Sequence, residues 1–157
     1  MIKRIQFVTR RGELSAREFP AAWVAAVARV SDAPASARPM RAVACTTLHG
    51  VAGTSAPHDG VSMAWFVDLD ALRRFEAWLS AEDGQLAGVI EQDAIVVIIA
   101  DEVVMRGASW LERRWADRTV KLKHMALARR AEGLRPAEFS ERWRNRPGKI
   151  GGGSAPV

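Results

Sequence analysis

Three histidines and one cysteine are the side chains in this sequence that are best suited to acid–base or nucleophilic chemistry. His58 precedes Asp59 and Gly60 in the stretch PHDG, between two runs rich in β-forming residues. An Asp-Gly pair is typical of a turn, because aspartate can bond nearby backbone and glycine tolerates positive φ. A turn explains Asp59 but not His58, which is either an exposed loop residue or a general base. The sequence therefore predicts that Asp59 is structural and that His58 is the better catalytic candidate.

The other two histidines lie in runs that are typical of β-strands. His49 closes RAVACTTLH in phase with Cys45, so it is either a second catalytic candidate or a strand-end residue bonded to backbone. Cys45 is interpreted as a small buried residue, since nothing marks a paired base. His124 precedes Met125 and is expected on the non-core face of its strand. The spacing of the histidines does not indicate a zinc site, and we predict no metal.

Several classes of protein are disfavoured by composition and by missing motifs. A single cysteine excludes an internal disulfide and a cysteine-based zinc cluster. The sequence has no glycine-rich phosphate loop, no G-x-S-x-G and no dinucleotide fingerprint, so we predict no cofactor. It has no apolar run long enough to span a membrane. The opening MIKRIQFVTRRG has no apolar signal core and is typical of a first strand, which predicts a cytoplasmic protein.

Charge is distributed unevenly along the 157 residues. Residues 1–105 carry 10 Lys and Arg against 13 Asp and Glu, whereas residues 106–157 carry 13 against 5. A basic segment of this kind can bind nucleic acid or an acidic partner. No nucleic-acid motif accompanies the arginines, so we favour a solvated or docked basic segment over a nucleic-acid interface.

Hydrophobic periodicity predicts four strands and two helices over the first hundred residues. IKRIQFVTR alternates, with Ile5 and Phe7 on one face and Arg4 on the other. A capping box, SARE, opens a helix whose apolar stripe contains Phe19, Trp23, Val27 and Val30. Residues 41–49 and the run VSMAWFV are predicted to pair as a hairpin. Asp68 caps a second helix with Leu69, Leu72, Phe75 and Leu79 on its apolar side.

The fourth predicted strand is AIVVIIADEVVM, whose continuous apolar start indicates burial on both faces. The order β-α-β-β-α-β is that of an α+β, ferredoxin-like unit, an antiparallel sheet with two helices on one face. In a single unit one sheet face would lie bare, and two helices cannot bury all of Ile5, Phe7, Met63 and Trp65, which predicts sheet-to-sheet assembly. Trp65 and Phe66 are expected on opposite faces of the third strand.

An internal repeat follows the complete unit. Shifting the first strand and helix by 120 residues aligns Phe19 with Phe139, Trp23 with Trp143 and Glu18 with Glu138 without a gap. We therefore predict a ferredoxin-like unit over 1–106, a linker over 107–118 and the first strand and helix of a second copy over 119–157. The glycine-rich end favours a fragment of a longer tandem protein over an extension that functions alone. Phe139 and Trp143 are expected to pack as Phe19 and Trp23 do.

These segments resemble the EthD family of dimeric α/β-barrel proteins. IKRIQFVTRR with LSAREFPAAW looks like the opening of that family, and LRPAEFSERWRN looks like it again. PHDGVSMAWFVDLDAL resembles its Asp-Gly turn and Trp-Phe strand, and ADEVVM its closing strand. The resemblance covers residues 1–106 and returns over 119–147.

The resemblance implies a barrel of two ferredoxin-like units with a ligand between the sheets. Relatives include cofactor-free oxygenases of aromatic or polyketide substrates, cyclases, isomerases and decarboxylases, and some families with this architecture bind heme. Family members often have a histidine four residues after the helix tryptophan and a glutamate in the strand after Asp-Gly. Here those positions are Val27, Pro147 and Met63, which favours a non-catalytic module as the alternative.

The predicted function is binding, and transformation by acid–base or oxygenase chemistry, of a small apolar, aromatic or polyketide-like molecule. Catalysis is assigned to His58 and His49, and binding to Trp65, Met63, Phe7 and Cys45. A homodimer, or a pseudo-dimer formed by the repeat, is the expected assembly. The alternatives are a non-catalytic binding module and a heme-binding barrel with a histidine ligand.

Overall fold

A computed structural model describes residues 1–48, 57–81, 86, 88–102, 107, 109, 112–113, 116–117, 119, 125 and 129–145. The chain divides into two compact units, Met1–Glu102 and Val103–Val157. No helix in the described part of the chain is long and apolar enough to cross a membrane.

The first unit contains a four-stranded antiparallel sheet. Its strands are β1 (Ile2–Val8), β2 (Arg41–Thr46), β3 (Gly60–Phe66) and β4 (Val96–Asp101), in the spatial order β2-β3-β1-β4. Helix α1 (Phe19–Ala28) connects β1 to β2, and α2 (Leu69–Ala81) connects β3 to β4. This is the split βαβ arrangement. The structure confirms the predicted α+β, ferredoxin-like fold and the β2–β3 hairpin.

Helix α1 follows the predicted capping box and buries three of the four residues of the predicted stripe, whereas the fourth, Val30, lies beyond the end of α1 and is half-buried. The backbone N–H of Ser15 donates to the Glu18 carboxylate at 3.1 Å, and the backbone N–H of Glu18 donates to the Ser15 hydroxyl at 3.2 Å. These bonds satisfy donors that lack a partner at a helix start. Phe19, Trp23 and Val27 are buried, together with Val8 of the sheet, in one apolar cluster.

Helix α2 begins where predicted, because the Asp68 carboxylate accepts from the backbone N–H of Ala71 at 2.7 Å. Leu72 and Phe75 are buried against Phe66 of β3, and Leu79 packs at the margin of that cluster. Leu69 is exposed at the first residue of the helix, so its place on the apolar side was predicted wrongly. Phe66 therefore faces the helices and Trp65 faces away, as expected for neighbouring residues of a strand.

The prediction that β4 is buried on both faces is wrong for the single chain. Val96, Val97, Ile98 and Ile99 are 37–49% exposed. The cause is the strand order, because β4 is an edge strand that pairs only with β1 in the described sheet. A continuous apolar run indicates a strand, but it does not reveal whether a helix or another strand covers each face.

The face of the sheet away from the helices also differs from the expectation that it lies bare. Phe7, Met63 and Trp65 are buried and Ile5 is half-buried. Neighbouring side chains account for part of this burial, since His58 covers Phe7 and the cations of Lys3 and Arg41 cover Trp65. The exposed apolar surface of the sheet is therefore at β4.

Helix α3 (Pro136–Asn145) lies in the second unit. The rings of Phe139 and Trp143 stack with centroids 5.9 Å apart, as those of Phe19 and Trp23 do at 6.1 Å. Trp143 is nevertheless 46% exposed. The expectation that this pair packs like the first is correct for the ring geometry and wrong for the burial, because Trp143 does not share the buried environment of Trp23.

Candidate functional site

The antiparallel register assembles three rows of side chains on the sheet face that points away from α1 and α2. Residues opposite each other in antiparallel strands share a face. Because Phe66 and Ala64 contact the helix cluster, the alternate residues of β3 and their partners lie on the other face. The rows are Cys45-Val61-Phe7-Val96, Val43-Met63-Ile5-Ile98 and Arg41-Trp65-Lys3-Ala100. This surface is called the outer face below.

All four residues predicted to bind a ligand lie on the outer face. Phe7, Met63 and Trp65 are buried there, one in each row, and Cys45 is half-buried beside Val61. The four residues lie on three strands, with Phe7 on β1, Cys45 on β2, and Met63 and Trp65 on β3. The row that holds Cys45 and Phe7 ends at the exposed Val96 of the edge strand β4.

His58 lies at the end of the outer face, next to the Phe7 row. Its ring centroid is 5.3 Å from that of Phe7, at an interplanar angle of 42°. Its backbone carbonyl accepts from the Thr47 hydroxyl at 2.7 Å, which ties the loop to the end of β2. Nδ1 of His58 is buried and has no hydrogen-bond partner in the part of the chain that the structure describes. A buried imidazole nitrogen without a partner is costly, and it can accept from a bound hydroxyl.

Asp59 forms a structural contact beside this histidine. Its backbone N–H donates to the carbonyl of Val8 at 2.9 Å. Its Oδ2 accepts from the backbone N–H of Arg10 at 3.0 Å, and its Oδ1 lies 3.4 Å from Nε of Arg10 without hydrogen-bond alignment. The carboxylate therefore contacts Arg10, two residues after the end of β1, which lies beyond its own turn. These contacts explain Asp59 without chemistry, whereas those of His58 leave Nδ1 without a partner among the described residues.

The remaining histidines cannot be placed. His49, the second predicted catalytic residue, lies outside the described residues, as does His124. Strand β2 ends at Thr46, three residues before the predicted end. The juxtaposition of His58 and His49 therefore stays a prediction.

A charged cluster at the opposite end of the outer face was missed by the sequence reasoning. Glu102 accepts from the indole N–H of Trp65 at 2.7 Å and from Nζ of Lys3 at 3.1 Å. Nζ of Lys3 also lies 4.5 Å from the Trp65 ring centroid, and the Arg41 guanidinium carbon lies 5.6 Å from it. Cations over an indole face are attracted by its quadrupole. Lys3 alternates in phase with Ile5 and Phe7, and a lysine in that phase was the available signal.

The described residues contain no cluster of three or more His, Cys, Asp or Glu side chains that could hold a metal ion. His58 is the described histidine on the outer face, so it would be the heme ligand if the heme-binding alternative held. The chemistry that the arrangement itself can supply is hydrogen bonding and proton transfer at Nδ1, beside an aromatic ring in a largely buried surface.

Comparison with known proteins gives structural neighbours and no sequence family. Neither a family model nor a curated protein matches the chain. A dimeric ferredoxin-like protein of unknown function from Thermobifida fusca is 14% identical, covering 63% of this chain and 88% of that one, with a TM-score of 0.47. A dimeric ferredoxin-like protein from Bacteroides fragilis is 13% identical, over 64% and 95% of the chains, with a TM-score of 0.45. PA3566 from Pseudomonas aeruginosa is 15% identical, over 66% and 94%, with a TM-score of 0.44.

Proposed function

We propose that this protein is an EthD-like barrel protein that binds a small apolar molecule bearing a hydroxyl group, with His58 as its hydrogen-bond and proton acceptor. The observation that carries the proposal is the buried, unpartnered Nδ1 of His58 beside the ring of Phe7. Phe7 and Cys45 form the adjacent apolar row, and that row opens toward the exposed Val96. An aromatic ring stacked near Phe7 would direct a phenolic or enolic hydroxyl at Nδ1.

Proton transfer is the chemistry that we assign to this site. A phenol or enol that donates to Nδ1 can pass its proton to the imidazole, which leaves a phenolate or enolate in a surface that excludes water. Such an anion is the species on which acid–base rearrangement or cofactor-free oxygenation begins. Met63 and Trp65 would shape the deeper part of the face, where the Trp65 ring is already held by Lys3 and Glu102.

Binding of 1-naphthol, followed by its fluorescence, tests this proposal. We expect saturable binding to the wild-type chain and a loss of about tenfold or more in His58→Ala, because the acceptor is gone. His58→Gln restores a hydrogen-bonding side chain and should recover part of the affinity. The matched control is Asp70→Asn, at a solvent-exposed position of α2, which should bind as the wild type does. Equal affinity in wild type and His58→Ala would refute the site.

Catalysis is separated from the alternative of a non-catalytic module by oxygen uptake and by recovery of the probe. Consumption of oxygen or conversion of a bound phenol, lowered about 10²- to 10⁴-fold in His58→Ala, would identify an enzyme. Unchanged probe after saturating binding would identify the binding module. A Soret band in the purified protein would favour the heme-binding alternative.

We also propose that the exposed surface of β4 is covered by assembly, either in a homodimer or in a pseudo-dimer built with the second copy. The support is the exposure of four consecutive apolar residues of β4, because an exposed apolar edge strand tends to pair with another strand. These residues are Val96, Val97, Ile98 and Ile99. Analytical ultracentrifugation should show a dimer that Ile98→Glu dissociates, whereas Val67→Glu, at an exposed residue outside the sheet, does not. A wild-type monomer at micromolar concentration would contradict the homodimer.

The repeat and its boundaries, with a unit over 1–106, a linker over 107–118 and a partial second copy over 119–157, remain part of this proposal. The local geometry of α3 supports it. Nη1 of Arg130 donates to the Leu134 carbonyl as Nη1 of Arg10 does to that of Leu14, and the stacked Phe–Trp pairs correspond.

A further inference from the structure

The helix-facing side of the sheet carries a buried arginine where an apolar residue is normal. Arg4 and Gln6 point between α1 and α2, and both are buried. Burial is unusual for arginine unless the charge is compensated. Their partners on β3 are small, since Arg4 pairs with Ala64, and Gln6 pairs with Ser62. Small side chains on the sheet leave a cleft that the helices do not fill.

The cleft has an apolar wall and a charged floor. It encloses a cavity of about 40 Å³ and opens between the two helices. Its lining includes Trp23 and Val27 from α1, Trp78 and Leu79 from α2, and Arg4 and Gln6 from the sheet. An enclosed volume of this size can hold a water molecule, and therefore a small polar group such as a carboxylate. The apolar lining, which includes tryptophan and leucine, suits an apolar body.

The described residues compensate the guanidinium of Arg4 only in part. Nη1 donates to Oε1 of Gln6 at 2.8 Å, while Nε lies 3.5 Å from Oε1 of Glu76, at the limit of a hydrogen bond. A guanidinium has five N–H donors, and these are its two partners among the described residues. The Glu76 side chain is 41% exposed, so the countercharge lies at the rim of the cleft.

Electrostatics at Arg4 agree with that geometry. Desolvation by burial lowers the pKa of Arg4, while the charge of Glu76 and its hydrogen bond raise it. The net direction is downward, so the protein compensates the cation less well than water does. An anion placed at the free N–H groups would remove that deficit.

We propose that this cleft is a second binding site, which holds the carboxylate of a small apolar acid on Arg4. The planar fork of a guanidinium matches a carboxylate in two parallel hydrogen bonds. A monoanion is favoured over a phosphate dianion, because Glu76 repels further negative charge. Trp23 and Trp78 contact the aromatic or short aliphatic body. The site lies on the opposite side of the sheet from His58 and does not depend on the function proposed there.

Calorimetric titration of the full chain with benzoate at pH 7 tests the proposal. We expect saturable binding of benzoate and at least tenfold weaker binding of benzyl alcohol, which has the same ring without the charge. Arg4→Met should weaken benzoate binding at least tenfold, because the guanidinium is lost. Glu76→Gln should tighten it severalfold, because a competing carboxylate is removed. Arg73→Met, at an exposed arginine that pairs with Asp70, is the matched control and should bind like the wild type.

Several outcomes would overturn the site. They are the absence of saturable binding by wild type, equal affinity in Arg4→Met, or loss of benzoate binding in His58→Ala, which would place the acid on the outer face. If circular dichroism shows that Arg4→Met does not fold, Glu76→Gln decides. The Glu76→Gln variant keeps Arg4. If it binds benzoate as the wild type does, or more weakly, a benzoate site at Arg4 is rejected.

Discussion

Residues 10–28 and residues 130–145 form the same local structure in different surroundings. In each, an arginine Nη1 donates to the carbonyl of a leucine four residues later. In each, a glutamate carboxylate accepts from the backbone N–H three residues earlier, at 3.1 Å for Glu18 and 3.0 Å for Glu138. Yet Trp23 is 1% exposed and Trp143 is 46% exposed. The turn, the cap and the ring stacking are therefore local properties of the sequence, whereas burial requires a sheet.

The largest expected difference between the two regions lies at the tryptophans. Trp23→Ala should lower the free energy of unfolding by about 3–5 kcal/mol, because it empties a site in the core. Trp143→Ala should lower it by less than about 1 kcal/mol, since the ring is half in water. Urea denaturation measures both. Equal losses would show that Trp143 is core in solution, as it would be in a completed second copy.

Glycine substitutions sharpen the same contrast between packing and local conformation. A Cβ on Gly60 would lie 3.0 Å from both Phe19 Cζ and Trp23 Nε1, so Gly60→Ala should cost about 1–3 kcal/mol by overpacking. Gly133 has φ +77° and nothing within 4 Å of an added Cβ. Gly133→Ala should cost about 1 kcal/mol through conformation alone. The double variant Gly60→Ala/Trp23→Ala should recover part of the first loss by relieving the contact, and additive losses would contradict it.

In the first of the two compared regions, Asp59 accepts a hydrogen bond from the backbone N–H of Arg10. Asp59→Ala should lower the free energy of unfolding by about 1 kcal/mol, because the backbone N–H of Arg10 loses its acceptor. Arg130→Met, at the exposed counterpart of Arg10, should change it by less than about 0.5 kcal/mol. Thermal denaturation of the two variants measures both effects. An Asp59→Ala protein as stable as the wild type would remove the structural explanation for this carboxylate.

The two regions should differ least in the pKa values of Glu18 and Glu138. The pKa of Glu18 is lowered by its hydrogen bonds from the Ser15 side chain and backbone, and that of Glu138 by those from the Arg135 side chain and backbone. Because the folded-state pKa is lowered, each ionised carboxylate stabilises its cap at pH values above the unfolded-state pKa. That contribution is lost as the pH falls through the folded-state pKa. Carboxyl NMR titration should place both pKa values below the ordinary value of about 4.3. Ser15→Ala should raise only that of Glu18, and Arg135→Ala only that of Glu138. Unshifted pKa values of Glu18 and Glu138 in the wild type would contradict these hydrogen bonds.

The sequence predicted what is local and missed what depends on strand order. Alternation in β1 and β3 placed Phe7, Met63 and Trp65 on one face, and helical spacing identified Phe19 and Trp23 as core. The run VVII predicted a strand but not its exposure, because nothing in a four-residue apolar run states that the strand is at an edge.

Contacts between distant residues were equally invisible. Glu102 meets Lys3 and Trp65 only through the folded register, across 99 and 37 residues of chain. Alternation in β1 placed Arg4 and Gln6 on one face of the strand, but it did not show that this face points toward the helices. Alternation defines two faces and leaves open which one a helix covers. The candidate His58 was found because a turn explained its neighbour, and its contact with Phe7 came from the structure.

The Nδ1 resonance of His58 tests the central claim most directly. In ¹⁵N-labelled protein, assigned with His58→Gln, addition of 1-naphthol should shift this resonance saturably, because the hydroxyl donates to Nδ1. Naphthalene, which has the same rings without the hydroxyl, should leave the resonance in place. A His58 Nδ1 signal unmoved at saturating 1-naphthol, or moved equally by naphthalene, would contradict a binding site organised around this imidazole.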